Sequence, residues 1–277
     1  MGKKDIEEKV YFDNPVYFAD ACNGILFQGV EKILPEELEE AENELIYSAP
    51  KKSFSVRVDG MRYWKKRGVN LALIAVEHQS LTDYHMVFRN MLTESIAYHR
   101  QWKGNKKRYE KAFSFRNAKE LLSGMRQEDK FIPVILIVIN WSGVKWEGAT
   151  NLHEMLDLPD ELACFVNNYK LNIFDCHEHE NFSMFKSELR VVFEALKTAG
   201  NERKMADLLK RFPKIESDTA RLIETLLHVK FDNRYLIKDE EGKVWCEVCK
   251  AWDDHFISGK EEGIKEGIKE GKQEMLI

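Results

Sequence analysis

The sequence predicts an α/β fold in which a central mixed sheet is flanked by helices and followed by a helical C-terminal region. Residues 71–76 and 132–140 are almost entirely apolar, as in strands that are buried on both faces. Residues 53–64 alternate between apolar and polar side chains, which predicts a strand with one buried face. Apolar residues at helical spacing separate and follow these strands.

The first predicted element is a helix over residues 14–29. Asn14 can cap this helix, Pro15 suits its first turn and Gly29 can end it. An acidic stretch that favours a short helix or turn follows it, and residues 44–48 are then predicted to form a short strand.

The alternating strand and the first buried strand are joined by turn residues at 67–70, so the two strands should be antiparallel neighbours. A helix is predicted over residues 82–102, with Thr82 or Asp83 as its cap. The second buried strand and a short strand at 169–175 complete the predicted sheet.

The C-terminal part is predicted to be helical, because residues 182–212 and 219–228 have helical spacing. It ends in a repeat with glycine at every fourth position, which we expect to form a weak, mobile helix or to pair with another copy. A homodimer through the C-terminal helices or the tail is therefore an expectation. The expected parts are a core, a helical region and a tail: 1–180, 181–255 and 256–277.

Composition and charge argue against several classes of protein. The longest apolar run, residues 131–141, is too short to cross a bilayer and contains Pro133. The first ten residues are charged where a signal peptide needs an apolar core, so we expect a cytoplasmic protein without membrane contact. The net charge of −5 argues against uniform electrostatic attraction to nucleic acid.

Positive charge is concentrated between residues 100 and 119, where eight basic residues face one acid. Four aromatic residues are interleaved with them, a combination suited to a polyanion whose bases can stack. A solvated loop and helix face is the alternative interpretation. With Arg89, the candidate DNA-binding residues are Arg100, Lys103, Lys106, Lys107, Arg108 and Lys111.

Two cysteine-containing motifs are candidate metal sites. Cys246 and Cys249 have the spacing of a zinc half-site, but only His255 lies close in sequence as a further ligand. Residues 176–179 read Cys-His-Glu-His. Because neighbours in an extended segment point to opposite faces, these four side chains are not expected to converge on one ion.

A pair of carboxylates on the two antiparallel strands indicates a different chemistry. Asp59 lies on the polar face of one predicted strand, and Glu77 follows the buried strand, with Gln79 on the same face two residues later. Two carboxylates can hold Mg²⁺, and such an ion can activate water for phosphodiester hydrolysis. Alternatively, Asp59 pairs with Arg57 or Arg62, and Glu77 with the N-terminus of the next helix.

Four stretches of the chain resemble one family in order and spacing, and together they run from about residue 9 to the end. In chain order they are YFDNPVYFADACNGILFQG; residues 53–59 with LALIAVEHQS and DYHMVFRNML; FIPVILIVINWSGVKWEGATNLHEML; and VCKAWDDHFISGKEEGIKEGIKEG. They resemble the Rpn-type group of the PD-(D/E)XK nuclease superfamily, whose members are often labelled transposases. The resemblance implies a restriction-endonuclease-like core.

The resemblance also implies roles for individual residues. Asp59 and Glu77 would be metal ligands and catalytic, and Gln79 would occupy the position of the superfamily's lysine. Glutamine can orient water but supplies no positive charge. A second ion, Arg89 or Arg57 would then compensate. Glu44 is the expected third acidic ligand, and Asp20 a weaker candidate.

The activity implied by the resemblance is that of a DNA endonuclease that uses Mg²⁺, with Mn²⁺ as a substitute, in recombination or defence. The alternative is a DNA-binding or assembly protein of the same fold with a degenerate nuclease centre. The transposase label implies strand transfer, for which the sequence offers no independent signal.

Overall fold

The computed structural model describes residues 3–49 and 52–254. The chain divides into two compact units, one spanning Phe12–Glu178 and the other Met1–Tyr11 with His179–Ile277. Each unit contains helices and its own β-structure. The predicted tail, residues 256–277, and His255 lie outside the described residues.

The first unit combines strands and helices in the order of an α/β protein. The helices of the N-terminal half of the chain are α1 (Lys3–Asp13), α2 (Pro15–Phe27), α3 (Met86–Lys111) and α4 (Ala118–Ser123). The strands are β1 (Leu38–Glu40), β2 (Glu44–Ala49), β3 (Lys52–Arg57), β4 (Gly60–Lys66), β5 (Val69–Gln79), β6 (Val134–Asn140) and β7 (Asn172–Asp175).

A five-stranded mixed sheet with the order β1-β4-β5-β6-β7 forms the centre of this unit. The β1–β4 and β4–β5 pairs are antiparallel, whereas β5, β6 and β7 run parallel. The two apolar segments of the sequence are the adjacent strands β5 and β6, and most of their residues are buried. The structure thus confirms the α/β class and the central mixed sheet flanked by helices.

Helix α2 begins as the sequence predicts. The Asn14 side chain accepts a hydrogen bond from the backbone N–H of Val16 at 2.9 Å, and Pro15 is the first helical residue. Gln28 adopts a left-handed conformation at the end of the helix, and Gly29 follows it with a φ of 85°. The local sequence signals therefore set both ends of this helix.

The prediction of one continuous strand over residues 53–64 is wrong. The chain forms β3 and then β4, with a break at Val58 and Asp59. β3 pairs with β2 in a separate two-stranded hairpin, whereas β4 pairs with β1 and β5 in the main sheet. The alternation is interrupted at the break: apolar residues occupy positions 54, 56 and 58 before it and 61 and 63 after it.

Helix α3 differs from its prediction at both ends. It begins at Met86, and the cap residue is His85, which makes no side-chain cap hydrogen bond. Asp83 instead accepts a hydrogen bond from the backbone N–H of His85 at 2.8 Å and forms a turn before the helix. The helix continues nine residues beyond Trp102 because its lysine and arginine residues favour helix without extending an apolar stripe.

The second unit is mainly helical. Its helices beyond α1 are α5 (Leu189–Thr198), α6 (Glu202–Arg211) and α7 (Ser217–Leu227). It also contains a small antiparallel sheet of β8 (Ile215–Glu216), β9 (Leu236–Lys238) and β10 (Val244–Cys246), in the order β8-β10-β9. The region expected to be helical therefore includes three short strands. Among the described residues, none of the helices combines the length and apolar character needed to span a bilayer.

Candidate functional site

The C-terminal end of β5 carries the polar residues singled out by the sequence. Glu77 and Gln79 continue the parallel register of β5 beside Val138 and Asn140 of β6. Side chains alternate along a strand, so Glu77 and Gln79 lie on one face of the sheet and His78 on the other. Glu77 is only 3% exposed. A carboxylate this buried requires a cationic partner or hydrogen-bond donors.

The loop between β3 and β4 brings Asp59 to the same end of β5. Gly60 pairs with Val76, so Asp59 lies where the antiparallel register would continue towards Glu77. Asp59 Oδ2 accepts a hydrogen bond from the backbone N–H of His78 at 2.8 Å. Asp59 is therefore fixed against the peptide that joins Glu77 to His78, although it lies in a bend and not within a strand as predicted.

Arg89, on the first turn of α3, connects the acids of this site. One guanidinium nitrogen lies 3.3 Å from Glu77 Oε2, and the other donates to Asp83 Oδ2 at 2.7 Å. The side chain of Arg89 is 38% exposed. Arg89 therefore forms ion pairs with two carboxylates. We name Asp59, Glu77, Asp83 and Arg89 the acidic cluster.

The pKa values of the acidic cluster reflect its mutual interactions. Burial opposes ionisation of Asp83, but hydrogen bonds from Arg89 and from the backbone of His85 outweigh it and hold the pKa of Asp83 below its usual value. Burial also opposes the charge on Arg89, yet the hydrogen bond to Asp83 and the negative charges of Glu77 and Asp59 raise the pKa of the guanidinium. All three acids thus act on a single cation.

The donor set of the acidic cluster suits a hard divalent cation. The cluster presents three carboxylates and one guanidinium, and Mg²⁺ prefers oxygen ligands. The three acids are not a closed cage, because the one three-ligand group within 4.8 Å among the described residues lies elsewhere. Asp59 and Glu77 would therefore hold an ion together with water, as Mg²⁺ sites commonly do.

The opposite face of β5 anchors this strand end in the core. Trp141 Nε1 donates to His78 Nδ1 at 2.9 Å, and the backbone N–H of Trp141 donates to the carbonyl of Gln79 at 2.8 Å. The ring of His78 also packs 4.7 Å from Phe12. These contacts fix the ends of β5 and β6 relative to each other. His78 and Trp141 were not predicted, because their pairing depends on the parallel register.

The other acids proposed from the sequence have different positions. Glu44 lies on β2 opposite Arg57, and their charged groups are 3.7 Å apart. Asp20 is buried in α2. Asp83, which its sequence context indicates only as a helix cap, is the second acid that pairs with Arg89 besides Glu77. An acidic residue in the short β5–α3 connection was the signal that could have indicated it.

The basic segment, residues 100–119, is only partly available to a polyanion. Arg100 pairs with Glu42, and Arg116 contacts Glu120 and Glu128 at 2.7 and 2.6 Å. Lys106 is 3.9 Å from Glu110. Acids distant in sequence therefore compensate part of the charge that was counted along the chain.

The aromatic residues of the basic segment are also partly used in packing. Tyr109 is buried and donates to Asp129 at 2.6 Å, with Arg108 and Arg126 stacked on its ring. Trp102 donates to the carbonyl of Ser123 at 2.9 Å.

In contrast, the exposed residues Lys107 and Lys111 have no ion pair within the part of the chain that the structure describes. The segment offers fewer contacts than its composition suggests.

Comparison with protein-family models, with curated proteins and with solved structures gave no match. The resemblance to the Rpn-type group therefore rests on the sequence stretches that carry it.

Proposed function

We propose that the chain is a divalent-metal-dependent DNA endonuclease with a PD-(D/E)XK core, of the kind that the Rpn-type resemblance implies. One observation carries the proposal: Asp59 is hydrogen-bonded to the backbone N–H of His78, beside buried Glu77, where the central sheet ends. An acid on one strand end and an acid-x-polar step on the next are the elements that such a centre requires. The acidic cluster also supplies carboxylate oxygens, the ligand type that Mg²⁺ prefers.

The residues of the site have separate roles in this proposal. Asp59 and Glu77 hold Mg²⁺ or Mn²⁺, and the bound ion supplies charge neutralisation and a more acidic water. Gln79 lies on the same face as Glu77, where its amide can orient a water molecule. Arg89 fixes the orientation of Glu77 through their ion pair and carries the positive charge that Gln79 lacks.

DNA is the proposed substrate because the same unit exposes cations on the C-terminal part of α3. Lys107 and Lys111 lie four residues apart and therefore on one face of that helix. Exposed lysines contact phosphates without reading sequence. The proposal accordingly gives these residues a role in affinity and not in sequence preference.

The test is cleavage of supercoiled plasmid DNA by the purified full chain with Mg²⁺, with Mn²⁺ and with EDTA. We expect cleavage with either metal and none with EDTA, and we expect Asp59→Asn and Glu77→Gln to abolish it. Glu39→Gln is the matched control, because Glu39 is an exposed acid on edge strand β1 that pairs with Lys65. Cleavage by both site variants at the parental rate would refute the assignment.

A second candidate is a DNA-binding or assembly protein whose nuclease centre is degenerate. It is favoured by the ion pair between Arg89 and buried Glu77, since a guanidinium can satisfy this carboxylate without a metal. That candidate predicts DNA binding without metal-dependent cleavage. The plasmid assay together with a DNA-binding measurement on the same sample distinguishes the two.

A further inference from the structure

A second cluster of metal-ligand side chains lies where β7 ends. β7 stops at Asp175, and Cys176–Glu178 form a 3₁₀ turn. Because of this turn, a carboxylate oxygen of Asp175, the sulfur of Cys176 and a ring nitrogen of His177 all lie within 4.8 Å of one another. The expectation of an extended segment at residues 176–179 is wrong, and the group that converges combines Cys176 and His177 with Asp175.

The imidazole of His177 supplies a second observation. Its Nε2 atom is buried and has no hydrogen-bond partner among the described residues. A buried polar atom without a partner loses the free energy of its hydration and regains none from the protein. An imidazole nitrogen in this condition can recover that free energy by binding a metal ion, for which its lone pair is suited.

Asp175 is held in place by the backbone around it. Its Oδ1 accepts from the N–H of His177 at 2.9 Å, and its Oδ2 accepts from the N–H of Trp146 at 2.6 Å. Each carboxylate oxygen retains a second acceptor site. The neighbouring ion pair between Lys145 and Glu178, at 2.6 Å, joins the loop before Trp146 to the same turn. The carboxylate is therefore rigid and still able to coordinate.

We propose that Asp175, Cys176 and His177 form a binding site for a thiophilic divalent cation of the Zn²⁺ class. Sulfur, nitrogen and oxygen ligands together suit Zn²⁺, whereas Mg²⁺ takes oxygen ligands. Metal–ligand lengths of about 2.0–2.3 Å place tetrahedral ligand atoms about 3.3–3.8 Å apart. Ligand atoms that lie as much as 4.8 Å apart would approach each other by up to about 1 Å on binding.

Binding converts the thiol of Cys176 to a thiolate. The S–H bond breaks, its electron pair forms the metal–sulfur bond, and the proton passes to solvent. Three protein ligands leave the fourth tetrahedral position to water. The bound ion would fasten the end of β7 to the loop at Trp146 through Asp175. This site is independent of the proposed nuclease function.

The experiment is a Co²⁺ titration of the full chain after removal of metals with EDTA, since Co²⁺ substitutes for Zn²⁺ and absorbs light. We expect a thiolate-to-Co²⁺ charge-transfer band that saturates and is then displaced by Zn²⁺. Loss of even an outer partner of a ligand weakens binding about ten- to a hundredfold, so His177→Ala should weaken Co²⁺ binding by at least about tenfold. Cys176→Ser should abolish the band.

The matched control is Cys164→Ser, because Cys164 is exposed in a 3₁₀ turn of the same unit and should not affect the band. Cys176 is fully buried, so circular dichroism must show that its variant is folded. If Cys176→Ser does not fold, His177→Ala provides the test, because His177 is partly exposed. A parental chain without the band, or a folded His177→Ala with parental affinity, would overturn the proposal, as would a band lost in Cys249→Ser instead.

The two proposals fail separately in these experiments. Asp59→Asn and Glu77→Gln should retain the Co²⁺ thiolate band, because both residues bear oxygen ligands outside this cluster. Both proposals together predict that these variants lose plasmid cleavage and retain the band. A band that disappears in these variants would overturn the assignment to Asp175, Cys176 and His177.

Discussion

The acidic cluster at the end of β5 and the basic segment at the end of α3 differ in how folding compensates their charge. Three acids of the cluster share the single guanidinium of Arg89. In the basic segment, several cations are paired with acids that sequence counting placed elsewhere, such as Glu42 and Glu128. In the basic segment, ion pairs therefore offset part of the positive charge, whereas in the acidic cluster three carboxylates act on one guanidinium. Charge that persists after folding is the better guide to a binding site.

The largest effect expected from this comparison is on stability when Arg89 is removed. Arg89→Met leaves the buried carboxylate of Glu77 without its cation. We expect a loss of about 2 kcal/mol in the free energy of unfolding, below the ~3–5 kcal/mol for a fully buried pair because Arg89 is 38% exposed. Urea denaturation at pH 7 measures the loss, and added Mg²⁺ should restore more stability to the variant than to the parent.

Arg100→Met is the matched control in the basic segment. Both partners of the Arg100–Glu42 pair are exposed, and such pairs contribute about 0–1 kcal/mol. An equal loss of stability in the two variants would show that the ion pair of the acidic cluster contributes no more to stability than the exposed pair of the basic segment.

A smaller effect is expected from Asp83→Asn, which weakens the contact with Arg89. The pKa of Asp83 is lowered in the folded state, so its stabilising contribution is present above its unfolded pKa of about 3.9 and is lost as pH falls through the lower folded value. We expect a loss of about 1 kcal/mol at pH 7 that shrinks towards zero in strong acid. Urea denaturation at pH 7 and below pH 3 measures the difference.

Glu128 provides the comparison for this pH dependence. Its pKa is also lowered, through a hydrogen bond from Arg116, but its side chain is exposed to solvent. Glu128→Gln should therefore leave the stability unchanged at both pH values. Equal pH dependence in Asp83→Asn and Glu128→Gln would contradict the distinction between a partly buried and a screened ion pair.

The smallest expected effect is on DNA affinity. Lys107→Gln with Lys111→Gln removes two exposed cations and should reduce the slope of log affinity against log salt by about two. The paired residues Arg100 and Arg116, changed together to glutamine, should reduce it less. Fluorescence anisotropy with labelled DNA at several salt concentrations tests this. Identical slopes for both double variants would show that the ion pairs of Arg100 and Arg116 do not reduce the contribution of these residues to DNA binding.

The neighbouring candidate DNA-binding residues Lys106, Lys107 and Arg108 differ in their contacts. Lys106 lies over Trp102 and near Glu110, and Arg108 lies over Tyr109. Reversal of all three charges should still lower the affinity and flatten its salt dependence. Most of that effect should come from Lys107.

The sequence was sufficient for the parts of the fold that local patterns determine. Apolar runs identified β5 and β6, and the turn at 67–70 made β5 an antiparallel neighbour of the strand before it. The break at Asp59 coincides with a shift of the apolar positions from 54, 56 and 58 to 61 and 63, and the partner strand changes there from β2 to β5. Such a change depends on tertiary pairing, which periodicity along one strand does not contain.

The candidate site was predictable to a similar extent. Asp59 and Glu77 were placed at neighbouring strand ends, and the structure connects them through the His78 backbone. The place of Asp83 beside Arg89 depends on where α3 begins, and the local cap signals at Thr82 and Asp83 indicated a start several residues too early. The convergence of the ligand atoms of Asp175, Cys176 and His177 depends on a 3₁₀ turn that the local sequence does not predict.

The most direct test of the central claim is a measurement of Mn²⁺ binding to the full chain by electron paramagnetic resonance. We predict that the parent and His177→Ala bind Mn²⁺ at a site that is lost in both Asp59→Asn and Glu77→Gln, while Glu39→Gln retains it. Mn²⁺ binding that is unchanged in folded Asp59→Asn and Glu77→Gln would contradict the claim that these two carboxylates hold the ion.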